Sequence, residues 1–194
     1  MLSPFEDDTA ARQLLERLRW TEGPACPHCA AREPDVFEIG GEKHSHRDGL
    51  YQCRRCRKAF SATVGTSFER LRIPLSTWIS AARVFSYEPP KHVPGYREIK
   101  PSLLAIRDEL GVSYRTVLRM RDVIAHAAHK YRGYKYVFAA WPRSLMHHKR
   151  EKPEQTIKDT GVLASMLPAG KYTVGEIKRT ERLLRLLLAA PKPR

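Results

Sequence analysis

The chain contains four cysteines, and their arrangement as two C-x-x-C pairs constrains its fold more than any other feature. Cys26 and Cys29 form the first pair, and Cys53 and Cys56 form the second, with 23 residues between the pairs. Each pair places two thiolates at one end of a tight knuckle, and two knuckles complete a tetrahedron of soft sulfur ligands that suits Zn²⁺. Disulfides fit poorly because the cytosol keeps thiols reduced, and a redox motif explains one pair but not two. We therefore predict a closed site for one structural zinc ion.

The segments around the cysteines predict a zinc ribbon. Between the pairs lie DVFEIG, the turn-rich GEKHSHRDG and LYQC, and KAFSATVGTSF follows the second pair. These stretches are typical of short strands joined by polar turns. His28, His44 and His46 lie close to the cysteines in sequence. Four thiolates leave no ligand position for them, so we expect these histidines to be exposed and the zinc to be structural rather than catalytic.

The formal net charge of the chain is +14, which predicts a polyanionic partner. Nucleic acid is the most abundant polyanion that such a protein meets. Four cations surround the second C-x-x-C pair, where they would favour thiolates and could contact phosphate: Arg54, Arg55, Arg57 and Lys58. A basic protein whose charge serves only solubility is the alternative.

The composition also indicates an intracellular protein. Hydrophobic residues make up 42% of the chain, but no run approaches the roughly 20 apolar residues that a membrane helix needs. The first residues, MLSPFEDDTAARQ, include early acids and no apolar core, unlike a signal peptide. We therefore expect a cytoplasmic, nucleoid-associated protein with no membrane partner.

A helix–turn–helix unit is predicted in SLLAIRDELGVSYRTVLRM. The apolar residues that mark its first helix are Leu103, Leu104, Ile106 and Leu110. Gly111 supplies a turn residue that tolerates positive φ, and Ser113 can cap the second helix. In DNA-binding proteins of this layout, the second helix enters the major groove and presents its first residues to base edges. The residues that we expect to contact DNA are Tyr114, Arg115, Thr116, Arg119 and Arg121. An ordinary helical hairpin is the alternative.

Three further helices are predicted from apolar residues at helical spacing, and the proline-rich EPPKHVPGYREIKP predicts a loop between two of the helices. DDTAARQLLERLRW begins with an Asp cap, and RIPLSTWISAARVFSY begins at Pro74. In the last helix, TVGEIKRTERLLRLLLAA, Thr173 and Glu176 can form a capping box. Its apolar stripe consists of Ile177, Leu183, Leu184, Leu186, Leu187 and Leu188. This stripe either docks on the core of the chain or pairs between copies in a homo-oligomer.

Together these patterns predict an α+β fold in three parts. Residues 1–73 hold the N-terminal helix and the four-cysteine zinc ribbon, and residues 74–129 hold the helix–turn–helix domain. Residues 130–194 hold a basic aromatic segment and a C-terminal amphipathic helix. Basic and aromatic residues alternate over 130–152, in KYRGYKYVFAAWPRSLMHHKREK. That segment either stacks on nucleic acid or forms a strand with a packed face.

Three stretches in this order resemble the N-terminal half of bacterial insertion-sequence transposases that carry an N-terminal zinc ribbon. They are LERLRWTEGPACPHC, YQCRRCRKAFSATVGTSFERLRIPLSTW and LGVSYRTVLRM, and the resemblance runs from about Phe5 to Ala125. It implies that Cys26, Cys29, Cys53 and Cys56 bind zinc. It also implies that the ribbon and the helix–turn–helix engage transposon-end DNA.

The same family continues into a ribonuclease-H-like nuclease domain, which we expect this chain to lack. Three carboxylates of that domain hold the metal ions of phosphoryl transfer, and the first follows soon after the helix–turn–helix. In this chain the corresponding stretch, YRGYKYVFAAWPRSL at residues 131–145, contains no Asp or Glu. The residues after the helix–turn–helix are also too few for such a domain.

We therefore expect a zinc-stabilised protein that binds double-stranded DNA in a regulatory or accessory role, without strand cleavage. One alternative is a truncated transposase that acts with a full-length partner at transposon ends. Another is an adaptor whose ribbon binds protein, because zinc ribbons serve both roles.

Overall fold

A computed structural model describes residues 3–41, 47–86, 102–130, 161–168 and 170–191. The proline-rich stretch at 88–101, most of the basic aromatic segment at 130–152, and His44 and His46 lie outside the described residues. The elements in chain order are α1 (Asp8–Arg19), β1 (Val36–Glu38), β2 (Tyr51–Cys53), β3 (Ala59–Phe60), α2 (Leu75–Phe85), α3 (Leu103–Leu110), α4 (Tyr114–Lys130), α5 (Val162–Ser165) and α6 (Val174–Ala189). The predicted α+β class is confirmed.

The three short strands form one antiparallel sheet in the order β1-β2-β3. Val36 lies opposite Cys53, and Tyr51 lies opposite Phe60. A small apolar cluster underlies this sheet. It consists of the buried Cys26, Ala31, Val36, Cys53 and Phe60, with the half-buried Trp20, Cys29, Tyr51, Cys56 and Val64 against it. The sheet and the cysteines thus share one small core.

The helices form a second and larger core. The apolar stripe of α2 is fully buried there as its spacing predicts, at Trp78, Ala81, Ala82 and Phe85. In α4 the buried positions include Val117, Met120, Val123 and Ile124. Of the apolar residues that mark α3 in the sequence, Ile106 is completely buried, whereas 53% of the surface of Leu104 is exposed. One turn of an amphipathic helix can carry an apolar residue beside its buried stripe, and sequence spacing alone does not separate the two.

Helix α6 docks on the core of its own chain. Leu183, Leu184 and Leu187 are completely buried, and α6 packs against both α2 and α4. Of the two alternatives for this apolar stripe, docking within the chain is therefore the one observed. Its first turn is capped as predicted, since Thr173 Oγ1 accepts the amide of Glu176 at 3.2 Å. The Glu176 carboxylate contacts Arg83 of α2.

Two consecutive aspartates join the start of α1 to the start of α2. Asp7 caps its own helix, with Oδ2 accepting the amide of Ala10 at 2.7 Å. The first residues of α2 follow Pro74, which offers no side-chain cap. Asp8 Oδ1 supplies that cap from the neighbouring helix, since it accepts both the amide and the hydroxyl of Ser76, at 2.9 and 2.6 Å. The amide of Ser76, in the first turn of α2, thereby gains an acceptor from the neighbouring helix α1.

A buried ion pair joins α6 to two other helices. Glu181 is completely buried, and its Oε1 lies 3.5 Å from Nε of Arg185, one turn later. Glu181 Oε2 accepts the amide of Leu163 in α5 at 2.9 Å. Arg185 donates from Nη1 to the carbonyl of Leu18, at the end of α1, at 3.2 Å. The pair thus satisfies backbone groups of α1 and α5 that would otherwise be buried without partners.

We predict that Glu181→Gln lowers the free energy of unfolding by about 3 kcal/mol, because it removes a completely buried carboxylate charge from beside the Arg185 guanidinium, whose side chain is only 14% exposed. The measurement is equilibrium denaturation in urea. Glu22→Gln is the control, because the Glu22–Arg32 pair lies on the surface and exposed pairs contribute little. Equal stability of Glu181→Gln and the unaltered chain would contradict the assigned role of the buried pair.

Candidate metal centre and nucleic-acid interface

The four cysteine sulfurs meet at one point of the ribbon. All four Sγ atoms lie within 4.8 Å of one another. The sulfurs of Cys26 and Cys56 are 3.6 Å apart, and so are those of Cys29 and Cys53. A tetrahedral zinc ion with Zn–S bonds of about 2.3 Å requires sulfurs about 3.8 Å apart, so this arrangement fits one zinc ion. The predicted structural zinc site is confirmed, and in the described part of the chain no other such group could hold a metal.

The two cysteine knuckles have the same backbone hydrogen bonds. In the first knuckle, residues 26–31, the amide of Ala30 donates to the carbonyl of Cys26, and the amide of Cys26 donates to the carbonyl of Ala31. In the second knuckle, residues 53–58, the amide of Arg57 donates to the carbonyl of Cys53, and the amide of Cys53 donates to the carbonyl of Lys58. The residue after the second cysteine is left-handed in both, with φ of 58°. The knuckles are therefore two copies of one local structure.

Backbone amides also favour the thiolate form of the second knuckle. The amide of Cys56 donates to the sulfur of Cys53, and this bond is the largest cause of a lowered pKa for that thiol. The amide of Ala31 acts in the same direction on the sulfur of Cys29, but burial and the other three thiols outweigh it and raise the pKa of Cys29. Zinc binds the thiolate rather than the thiol, so amides aimed at the sulfur prepare the site for the metal. Tight turns with the first cysteine at their start bring these amides into place.

Trp20 and Arg19, at the end of α1, hold the ribbon against the helical core. The ring of Trp20 meets Tyr51 and Phe60 edge-on, with centroids 5.1 and 6.1 Å away. Arg19 Nη1 donates to the carbonyls of Ala62 and Val64 at 2.6 and 2.8 Å. Arg19 was not identified from the sequence. A basic residue in the last turn of a helix is common, and nothing in the pattern indicates that it binds a distant turn.

Ser67, which follows the last strand of the ribbon, binds the C-terminal end of α6. The amide of Ser67 donates to the carbonyl of Leu187 at 3.1 Å, and its hydroxyl donates to the carbonyl of Ala190 at 3.0 Å. Both carbonyls lie in the last turn of α6 or just after it, where helical partners run out. The ribbon is thus attached to the helices at both of its ends.

Helices α3 and α4 have the local features of a helix–turn–helix. Ser102 caps α3 through a 3.1 Å bond from the amide of Ala105, and Gly111 ends it in the left-handed conformation, with φ 62° and ψ 30°. Ser113 then caps α4, because its Oγ accepts the amide of Thr116 at 3.1 Å. These are the turn residue and the cap that the sequence predicts.

Arg83 of α2 holds α3 in place and was not identified from the sequence. Its guanidinium pairs with Glu109 of α3 and with Glu176 of α6. It also lies over the rings of Phe5 and Tyr172, at 5.7 and 6.0 Å from their centroids. Burial lowers the pKa of Arg83, but its bonds to the two carboxylates outweigh this and raise the pKa overall. A permanently charged group therefore links three helices.

The first turns of α4 present a basic face to solvent. Tyr114 is 43% exposed, and Arg115 and Arg119 are exposed one helical turn apart. Thr116 is half-buried, and its hydroxyl lies 2.9 Å from that of Ser113 within the cap. Arg121 is different, because both Nε and Nη2 donate to the carboxylate of Asp122, at 3.0 and 2.8 Å. The predicted contact residues are thus not equivalent.

The basic residues of the second knuckle are all exposed. They are Arg54, Arg55, Arg57 and Lys58. The Arg54 guanidinium lies over the ring of Phe37, 5.0 Å from its centroid. His28, in the first knuckle, is exposed as the sequence predicts.

Comparisons with known proteins identify the ribbon. Residues 6–59 match the family model of the transposase zinc-ribbon domain. Over 118 residues the chain is 30% identical to a protein of the transposable element ISH50 of Halobacterium salinarum, a match that covers 61% of this chain and 35% of that protein. The chain therefore spans about a third of the length of this relative. No solved structure matches.

Residues 6–59 are thus similar to the transposase zinc-ribbon domain, and the resemblance noted from the sequence is confirmed for this region. All four cysteines of the ribbon lie within the matched residues: Cys26, Cys29, Cys53 and Cys56. Among the described helices, none has both the length and the apolar character to cross a membrane.

We predict that removal of zinc by a chelator unfolds the ribbon and leaves the helices largely folded. The ribbon core is too small to form without the metal, whereas the larger helical core contains none of the cysteines. Tryptophan fluorescence should change because Trp20 moves away from Tyr51 and Phe60, while the helical signal in circular dichroism should be retained. A Trp20→Phe variant should lack most of this fluorescence response. Loss of the helical signal on removal of zinc would contradict the prediction that the helical core folds independently of the ribbon.

Proposed function

We propose that the chain is a zinc-stabilised protein that binds double-stranded DNA through its helix–turn–helix, with α4 as the recognition helix. The observation that supports this most directly is the state of Arg115 and Arg119. Both are exposed on one face, and neither forms an ion pair with any described residue. In contrast, Arg83, Arg107 and Arg121 are each paired with a carboxylate.

The position of these arginines matches the geometry of groove recognition. Residues four apart on a helix lie on the same face, one turn above the other. In a helix–turn–helix, the N-terminal part of the second helix meets base edges in the major groove. The guanidinium of an arginine can bind O6 and N7 of guanine through two hydrogen bonds. We assign this role to Arg115, with Arg119 and Tyr114 beside it at the groove.

Thr116 and Arg121 have supporting roles in this proposal. The hydroxyl and the amide of Thr116 both engage Ser113, so this residue fixes the start of the recognition helix. Arg121 is held by Asp122, and its side chain is 18% exposed. A DNA contact by Arg121 would require it to leave that carboxylate, so we assign it a minor contribution.

The proposed biological role is regulatory or accessory, at the DNA of a transposable element and in the nucleoid, without strand cleavage. The relative from ISH50 supports the association with such elements. The absence of Asp and Glu from residues 131–145 supports a role other than nuclease. Nicking of supercoiled plasmid by the purified chain with Mg²⁺ would contradict this part of the proposal.

A second candidate is an accessory chain that acts with a longer transposase at transposon ends. It is favoured by the ISH50 relative, which is about three times as long as the matched region. The homo-oligomer hypothesis depends on the apolar stripe of α6, and Leu183, Leu184, Leu186, Leu187 and Leu188 of that stripe are buried by the chain itself. The adaptor hypothesis, in which the ribbon binds a protein, stays a prediction.

We predict that Arg115→Ala weakens binding to the preferred duplex by about 1–3 kcal/mol, or roughly 5- to 150-fold, and relaxes the sequence preference at one or two positions. The measurement is enrichment from a library of random duplexes, followed by titration with the enriched sequence. Arg121→Ala is the matched control and should retain the preference. An unchanged sequence preference in Arg115→Ala would contradict the assignment of α4.

A further inference from the structure

We propose that the second zinc knuckle is a phosphate-binding surface that grips the backbone of duplex DNA independently of its sequence. Its contact residues are Arg55, Arg57 and Lys58. The inference rests on the proposed function, since it concerns the same DNA, but it assigns a separate surface and a different kind of contact. The recognition helix would supply discrimination, and this knuckle would supply affinity.

The first knuckle serves as an internal reference for the second. Both knuckles have the same hydrogen bonds between equivalent residues and the same left-handed residue, so they place the same demands on sequence. At the equivalent positions, the first knuckle carries Pro27, His28, Ala30 and Ala31, and the second carries Arg54, Arg55, Arg57 and Lys58. One copy of the structure therefore has no arginine or lysine, and the other has four. The local fold does not require this charge.

The backbone conformation of Arg57 also shows that the local fold does not require a cationic side chain. Its φ of 58° lies in the left-handed region, where glycine is free of strain and other residues cost about 1–2 kcal/mol. The equivalent residue of the first knuckle is alanine, so the fold tolerates a small side chain there. A long cationic side chain at this position gains nothing from the backbone. The positive charge at this position therefore serves either the zinc centre or a partner outside the knuckle.

The cationic side chains of the second knuckle are also free to contact a phosphate. Arg55, Arg57 and Lys58 are exposed, and none forms an ion pair with a described residue. Arg54 is excluded from the contact set because it lies on the ring of Phe37. The zinc site fixes the backbone of the knuckle, so three cations are held within one rigid turn. Clustered cations of this kind bind phosphate without reading bases.

A second role for these cations must be separated from phosphate binding. A zinc ion with four thiolates carries a net charge of about −2, and neighbouring cations stabilise that charge. Both knuckles share the one zinc ion, so this role could be filled from the second knuckle alone. The two roles differ in what they predict, because charge compensation acts on zinc affinity and phosphate binding acts on the salt dependence of DNA binding.

The test is a variant that gives the second knuckle the residues of the first, R55H/R57A/K58A, with Arg54 kept on Phe37. The control is R17A/R72A/R182A, which removes the same charge from three other exposed residues. Binding to random-sequence duplex DNA is titrated at several salt concentrations with saturating zinc. Zinc affinity is measured separately by competition with a chromogenic chelator.

We expect the knuckle variant to keep its zinc affinity and to bind DNA with a shallower slope of log K against log salt. The slope should fall by about 0.9 for each phosphate that the variant no longer neutralises, up to about 2.7. The sequence preference found with a random library should be unchanged, and the control should change the slope by much less. Equal reductions in both variants would overturn the inference in favour of a general effect of net charge. An unchanged slope would also overturn it, whether or not zinc affinity falls.

The failure of this inference is distinguishable from failure of the proposed function. If the unaltered chain does not bind duplex DNA at low salt, the proposed function fails. If the unaltered chain binds with a steep salt dependence and the knuckle variant retains it, only the assignment of this surface fails.

Discussion

The convergence of four thiolates on one zinc ion is the constraint on which the ribbon depends. Three strands of two or three residues cannot bury enough apolar surface to fold alone. Their core contains two of the cysteines themselves, Cys26 and Cys53, so metal site and hydrophobic core are the same structure. The free energy of zinc binding therefore contributes directly to the folding of this part of the chain. Everything that the ribbon presents to solvent, including its basic turn, is positioned by that one centre.

Helix α1 makes the ribbon part of a larger body. Its apolar face, with Leu14 and Leu15, belongs to the helical core, and its end carries Arg19 and Trp20 into the ribbon. Ser67 repeats the attachment from the other end of the ribbon, against α6. A boundary at residue 73 between a ribbon unit and a helical unit stays a prediction. The packing shows that α1 contributes to both cores.

Features that local rules determine could be predicted from the sequence, and features that depend on distant partners could not. Cysteine spacing, the Ser113 cap and the left-handed Gly111 are local, and the structure has all three where expected. The partner of the α6 stripe could not be predicted, because an apolar stripe specifies burial but not what covers it. Charged residues were hardest. Arg83 has no acidic residue within four positions in the sequence, yet it pairs with Glu109 and Glu176 on two other helices.

The attachment of the ribbon to the helices has a consequence for the proposed binding of DNA. Two weak contact surfaces on one rigid body bind one duplex more tightly than either alone, because the first contact raises the effective concentration of the second. Phosphate contacts at the ribbon would restrict how α4 approaches the groove, and base contacts at α4 would select where the ribbon settles. Arg19 and Ser67 maintain the spacing between the two surfaces. Phosphate contacts, which are independent of DNA sequence, and base contacts, which depend on it, can then be made by separate parts of the same chain.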